Sequence, residues 1–146
     1  MRITLTVLAV LSFGTTLMAD ESFYGTWKLN PAKSKIQCTK VASETLKITG
    51  TGPNSYRNVT DRVSQSGEAR HLESGERFMD GKFRPVPGQP VTQAIIRVDA
   101  STHKIITKKD GKVVEELTAV VSEDGKVQTN HQVFGTCEET LVFEKQ

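Results

Sequence analysis

The stretch HKIITKKDGKVVEELTAVVSEDGKVQTNHQVF, residues 103–134, decides the fold. Short runs rich in Val, Ile and Thr are separated by Asp110-Gly111 and Asp124-Gly125. Asp-Gly suits a two-residue type I′ turn, in which both central residues need positive φ. The pattern predicts strands over 103–109, 112–122 and 126–134, joined as hairpins. Working outward, the same rhythm predicts strands over 91–99 and 138–145 on either side. Towards the N-terminus it predicts strands over 24–30, 43–50, 54–64, 69–79 with a break at Ser74-Gly75, and 82–85. Asp80-Gly81 reads as a further hairpin signal. Residues 31–40 read as an irregular crossing with room for one helical turn. Pro85, Pro87 and Pro90 lack the ladder donor, so 85–90 belongs at a rim or an edge.

Composition agrees with this reading. Residues 20–146 hold 13 Val, 6 Ile and 13 Thr against 5 Leu and 6 Ala. About 39% of them are apolar, below the roughly 45–50% of typical globular domains. Such a chain is not a helical bundle, a coiled coil or a multi-pass membrane protein. Strands every 8–12 residues with tight turns predict an all-β, antiparallel up-and-down β-barrel of about 8–10 strands. A meander of that length must close or expose its edges, and the strands over 24–30 and 138–145 are the natural pair to join. A 127-residue domain is large enough to fold alone.

Residues 1–19 differ from the rest. Arg2 precedes an uncharged, largely apolar stretch ending at Ala19, the layout of a secretory signal peptide. The expected organisation is therefore a signal peptide over 1–19, cleaved to leave no membrane anchor, and one domain over 20–146. The expected location is periplasmic or extracellular. Without residues 1–19 the formal charge is +1, which gives no electrostatic reason to expect nucleic acid or a membrane surface. An oxidising compartment makes a Cys38–Cys137 disulfide the leading reading, against two free thiols or a metal pair.

Phe23-Tyr24-Gly25-Thr26-Trp27-Lys28-Leu29 carries a G-x-W element at Gly25-Thr26-Trp27. It resembles the first strand of lipocalins and fatty-acid-binding proteins. The resemblance implies a calycin barrel with Trp27 plugging one end and a small apolar or amphipathic ligand inside. The chain departs from the fatty-acid-binding pattern near its end: Thr140-Leu141-Val142-Phe143-Glu144 has no R-x-Y arrangement, so carboxylate capture there is not implied. A second resemblance is to a family of uncharacterised bacterial secreted proteins. It rests on Gly25–Asn30 with Lys33-Ser34-Lys35, on DGKFRPVPGQP at 80–90, and on the segments at 108–114 and 121–126. That family has no assigned reaction, so it implies no catalytic residues.

Candidate ligand-binding residues are Trp27, Tyr56, Arg57, Ile96, Glu115, Leu117, His131 and Phe134. Alternation places Ala94, Ile96 and Val98 inward and Arg97 in solvent. Arg57 shares a side with Val59 and Val63, which makes it a candidate anion anchor. His131 alternates with Val127, Thr129 and Val133 and so has an inward reading. A metal or haem ligand is its alternative role, against an ordinary hydrogen-bonded histidine. Glu115 shares a side with Val113, Leu117, Ala119 and Val121 and is the best candidate for an unusual interior group. Its neighbour Glu116 points the opposite way, which defeats a paired-carboxylate mechanism. No zinc-type spacing, phosphate loop or nucleophile elbow is present, so no cofactor, no metal and no enzymatic activity are expected; the enzymatic alternative is Glu115 or His131 as a lone acid or base inside the barrel. The expected function is an exported monomeric barrel holding a small ligand. The alternative is an extracytoplasmic interaction or inhibitor module acting through its surface or rim loops.

Overall fold

The computed structural model describes residues 22–146; the expected signal peptide lies outside them. Eleven strands run in chain order: β1 (Gly25–Leu29), β2 (Val41–Gly52), β3 (Ser55–Ser64), β4 (Ala69–Glu73), β5 (Arg77–Phe78), β6 (Arg84–Pro85), β7 (Thr92–Asp99), β8 (Thr102–Lys109), β9 (Lys112–Val121), β10 (Val127–Phe134) and β11 (Cys137–Lys145). The helical turn expected after β1 is a 3₁₀ turn over Pro31–Lys33, begun by Asn30, whose side chain accepts the Lys33 N–H. No helix among the described residues is long and apolar enough to cross a membrane.

The strands form one antiparallel sheet in the order β4-β3-β2-β1-β11-β10-β9-β8-β7-β6, with β5 on β3. It curls into a half-barrel, the up-and-down architecture expected from the strand rhythm. The first and last strands pair, Trp27 opposite Lys145 and Leu29 opposite Phe143. This seam lies mid-sheet, and the opening falls between β4 and β6 instead. The chain crosses that opening at residues 79–81. Met79 N–H donates to Asn54 O at 3.0 Å, and Gly81 N–H donates to Ile95 O at 2.8 Å. Asp80-Gly81 is therefore not a hairpin tip. It spans from β3 to β7, with Asp80 bridged to Ile96.

The two other Asp-Gly pairs differ from one another. Asp110 and Gly111 both have positive φ, at 50° and 74°, as a type I′ turn requires. At Asp124-Gly125 only Gly125 is left-handed, at 70°. Asp124 instead accepts from the Ser122 hydroxyl and the Lys126 N–H, which makes a longer turn.

Side-chain direction follows from the register. The ladders align Gln93 with Thr107, Ile95 with Ile105 and Arg97 with His103. They continue through Leu117 and Gln132, and Ala119 and Asn130, to Leu141. The inner face of β7 is thus the Gln93, Ile95 and Arg97 row. Ile96 and Val98 face outward, with Val98 58% exposed, the reverse of the alternation reading. That reading assumed an apolar interior. Much of the interior is polar, so hydrophobicity alone does not identify the inner side of β7. The same register turns His131 outward, where it pairs with Glu138 at 3.0 Å. Arg57 is exposed, and the row Tyr56, Asn58, Thr60 and Arg62 faces in.

The apolar core lies where β1, β2 and β11 meet. Trp27 is fully buried there, with Leu29, Leu46, Ile48, Leu141 and Phe143 around it. Its indole N–H donates to Phe23 O at 2.8 Å, which satisfies the polar end of a buried ring. Cys38 and Cys137 form a disulfide that ties the crossing after β1 to the start of β11.

Candidate functional site

A cavity of about 300 Å³ lies inside the curled sheet. One wall is apolar, from Phe23, Leu46, Ile48, Ile105, Leu117 and Ala119. The rest is polar to an unusual degree. Arg62 Nε donates to Glu44 Oε2 at 2.6 Å on the β2–β3 wall, and Glu44 is only 7% exposed. Glu44 is cut off from water and depends on this partner for its charge, while Arg62 keeps partial contact with solvent.

A chain of hydrogen bonds crosses the opening of the sheet. Arg77 Nη2 donates to Gln93 Oε1 at 2.6 Å, Gln93 Nε2 donates to Thr107 Oγ1 at 3.0 Å, and Thr107 Oγ1 donates to Glu115 Oε2 at 3.1 Å. Its cationic end also lies over the Tyr56 ring. Glu115 is held above the ordinary carboxylate range. Burial raises it, and the Thr107 hydroxyl and the charges of Arg62 and Arg77 offset only part of that effect. Burial likewise pushes the Tyr56 phenol up. Arg77 and Gln93 line a second pocket of about 160 Å³ outside the opening, with Phe78, Pro85, Val86 and Pro87. The Arg77–Gln93 bond therefore stands between the interior and this outer pocket.

Strand β10 adds Gln128, Asn130 and Gln132, all buried and all lining the cavity. Gln128 Nε2 donates to Asn130 Oδ1 at 2.9 Å. The Oε1 atoms of Gln128 and Gln132 are buried without a hydrogen-bond partner. At the far end, Phe23 stacks on His103 with ring centroids 3.9 Å apart.

Three of the residues singled out from sequence line the cavity: Tyr56, Glu115 and Leu117. Trp27 lies beneath it as part of the core. Phe134 is half-buried at the end of β10, opposite Cys137, outside the lining. Arg57, Ile96 and His131 are on the outer face. Sequence reasoning missed Glu44, Arg62, Arg77, Gln93 and the three β10 amides. For β10 the contrast points the wrong way, because Val127 and Val133 make the outer row more apolar than Gln128, Asn130 and Gln132. Among the described residues no group of three or more His, Cys, Asp and Glu side chains could hold a metal ion.

No family model and no curated protein sequence matches the chain. Solved structures do. The wild-type fluorescent protein UnaG superposes with a TM-score of 0.66 at 13% identity, covering 86% of this chain and 98% of that one. The Schistosoma mansoni fatty acid binding protein in complex with arachidonic acid gives 0.64 at 15% identity, covering 88% and 98%. Fatty-acid-binding protein 1 of Echinococcus granulosus gives 0.61 at 18% identity, covering 86% and 98%. At such identities the likeness concerns fold alone, and by that measure this chain has the calycin fold of the lipocalin and fatty-acid-binding type.

Proposed function

We propose that this protein is an exported lipocalin-like carrier that binds a small amphipathic molecule within its curled sheet. The observation that carries the reading is the 300 Å³ cavity, which joins an apolar wall to convergent polar groups as small-molecule sites do, with a larger polar share than most. The structural neighbours include a protein solved with arachidonic acid, in keeping with such a role. The stretch over 1–19 and the disulfide support export. The GTWKLN opening with Lys33-Ser34-Lys35 supports a place in the bacterial secreted family it resembles. Binding rather than catalysis is the favoured use of the cavity. Of the acids that line it, Glu115 is bonded to Thr107 and Glu44 is paired with Arg62, so each is already engaged.

Native mass spectrometry of the protein from its own host, with a solvatochromic apolar dye as a second probe, tests the reading. A bound small molecule, or saturable dye binding near one equivalent, is the expected result. Absence of both overturns it.

A second reading rests on the rim. Phe78 and Phe83 are about two-fifths exposed, beside the pocket lined by Pro85, Val86 and Pro87. These features fit an interaction or inhibitor module. A stoichiometric partner recovered from an extracytoplasmic fraction, and lost when 82–90 is replaced, would favour it over the carrier role.

A further inference from the structure

Two amide oxygens on residues that line the cavity, Gln128 Oε1 and Gln132 Oε1, have no hydrogen-bond partner. Gln128 is 2% exposed and Gln132 is 6% exposed. A buried acceptor with no protein partner requires a donor from a ligand or from water. Both oxygens are acceptors, and both belong to residues lining the cavity. The terminal amide torsion of glutamine is soft, so rotation can present each oxygen to a ligand; at Gln128 this exchanges the Nε2 bond to Asn130 for the new one.

Their surroundings narrow the choice. Gln132 lies between Leu117 and Glu139 on the neighbouring strands, with Glu115 one inward position further along β9. An anionic group beside Gln132 would approach the Glu115 carboxyl, and the two arginines that line the cavity are already engaged, Arg62 by Glu44 and Arg77 by Gln93. Gln128 lies between Val121 and Phe143, where an anion would lose its hydration without gaining a counter-charge. Each oxygen can therefore take an O–H or N–H donor and rejects a carboxylate. Four residues of β-strand separate them, which is about 13 Å.

We propose that the cavity binds an elongated, uncharged molecule along β10, with an O–H or N–H donor near each end and an apolar body between them. This rests on the carrier reading and specifies its ligand class. The donors bond Gln128 Oε1 and Gln132 Oε1, and the body lies against Leu46, Ile105 and Leu117. The ligand's polarity is thus spread over its length and not gathered in one charged head.

The test uses the whole secreted chain and three probes of equal carbon length: 1,10-decanediol, 1-decanol and decanoate, titrated calorimetrically at neutral pH. The expected order is the diol at least tenfold tighter than the alcohol, with decanoate weakest. In Gln128→Leu/Gln132→Leu the diol loses its advantage and the alcohol binds more tightly. The single variant Gln132→Leu, expected to lose part of the preference, provides a second check should the double variant fail to fold. Decanol or decanoate equalling the diol in the unaltered protein overturns the inference and leaves the carrier reading standing. A diol preference that survives in folded variants also overturns it. Failure of all three probes to bind overturns the carrier reading and the inference together.

Discussion

Glu139 accepts the backbone N–H of Cys38 at 2.8 Å, and Cys38 is disulfide-bonded to Cys137, two residues before Glu139. One oxygen of this carboxylate also takes the N–H groups of Gln37 and Thr39, at 3.0 and 3.1 Å. A single buried side chain thus satisfies three donors of the irregular crossing and holds the loop against β11. Burial raises the Glu139 pKa, but the N–H groups of Cys38, Thr39 and Gln37 outweigh it, so the net direction is downward.

Glu139→Gln should therefore destabilise the fold by about 1.5–3 kcal/mol, the range for hydrogen bonds to a charged group. The sign with pH follows from the lowered value. The stabilisation is fully present above the ordinary glutamate range and is lost as pH falls through the folded-state pKa. Urea unfolding across an acid series should show a steeper loss for the unaltered protein than for the variant. Equal slopes would remove Glu139 from the account of acid sensitivity.

The disulfide closes a loop with a sequence separation of 99. Reduction, or Cys38→Ser with Cys137→Ser, should lower stability by about 2–5 kcal/mol. Because Glu139 holds the same loop independently, the reduced protein should keep its strand content at room temperature. Denaturant unfolding with and without reductant, followed by far-ultraviolet circular dichroism, checks both statements.

Arg62→Met leaves Glu44 buried and uncompensated. The cost should approach the roughly 3–5 kcal/mol seen when one partner of a buried pair is removed. Arg62 is about one-third exposed, so water moderates the effect. Glu44→Met combined with Arg62→Met should recover most of the loss, since no charge then remains in the wall. A double-mutant cycle by chemical denaturation measures the coupling, and strictly additive losses would contradict the pairing.

Glu115 works in the opposite sense to Glu139. Its folded-state pKa is raised, so it imposes no cost below the ordinary glutamate range, and a growing one as pH rises through the folded-state value. Glu115→Gln should raise the thermal midpoint at neutral pH and leave it nearly unchanged in acid. The Thr107 hydroxyl can still donate to the amide oxygen, so the chain from Arg77 stays intact. A midpoint that shifts equally at all pH values would show that the effect is not electrostatic.

Much of the strand order was legible because the signals are local. A Val- and Thr-rich run ended by Asp-Gly specifies a strand and its turn within about ten residues, and the pairing of Lys109 with Lys112 across Asp110-Gly111 follows directly, although a bulge at Val114 shifts the register beyond Lys108. The pairing of β1 with β11 was accessible through strand length and the cysteine positions. The function of Asp80-Gly81 was not. An identical dipeptide spans two separated strands because its flanking segments, β5 and β6, each find a different partner. That outcome depends on β3 and β7 being nearby, which no local pattern encodes.

The candidate site was legible only in part, for a related reason. Tyr56, Glu115 and Leu117 lie on strands where the apolar row happens to be the inner one, or where neither face is distinctive. Ile96 and His131 were misplaced because alternation identifies two faces without saying which is inside. In a barrel whose interior is apolar, hydrophobicity resolves that ambiguity. Here Gln93, Gln128, Asn130 and Gln132 point inward, so it does not.

By itself, then, the sequence determined an all-β antiparallel meander, its main hairpins, the tryptophan core of β1 and the cysteine pair. These depend on backbone conformational preference and on side-chain period, both properties of short segments. Tertiary structure decided which row of each strand faces inward, where the sheet opens, and which polar groups converge on the cavity. Those depend on ladder register summed around a curled sheet, where one residue of slip would exchange the two faces of every strand beyond it.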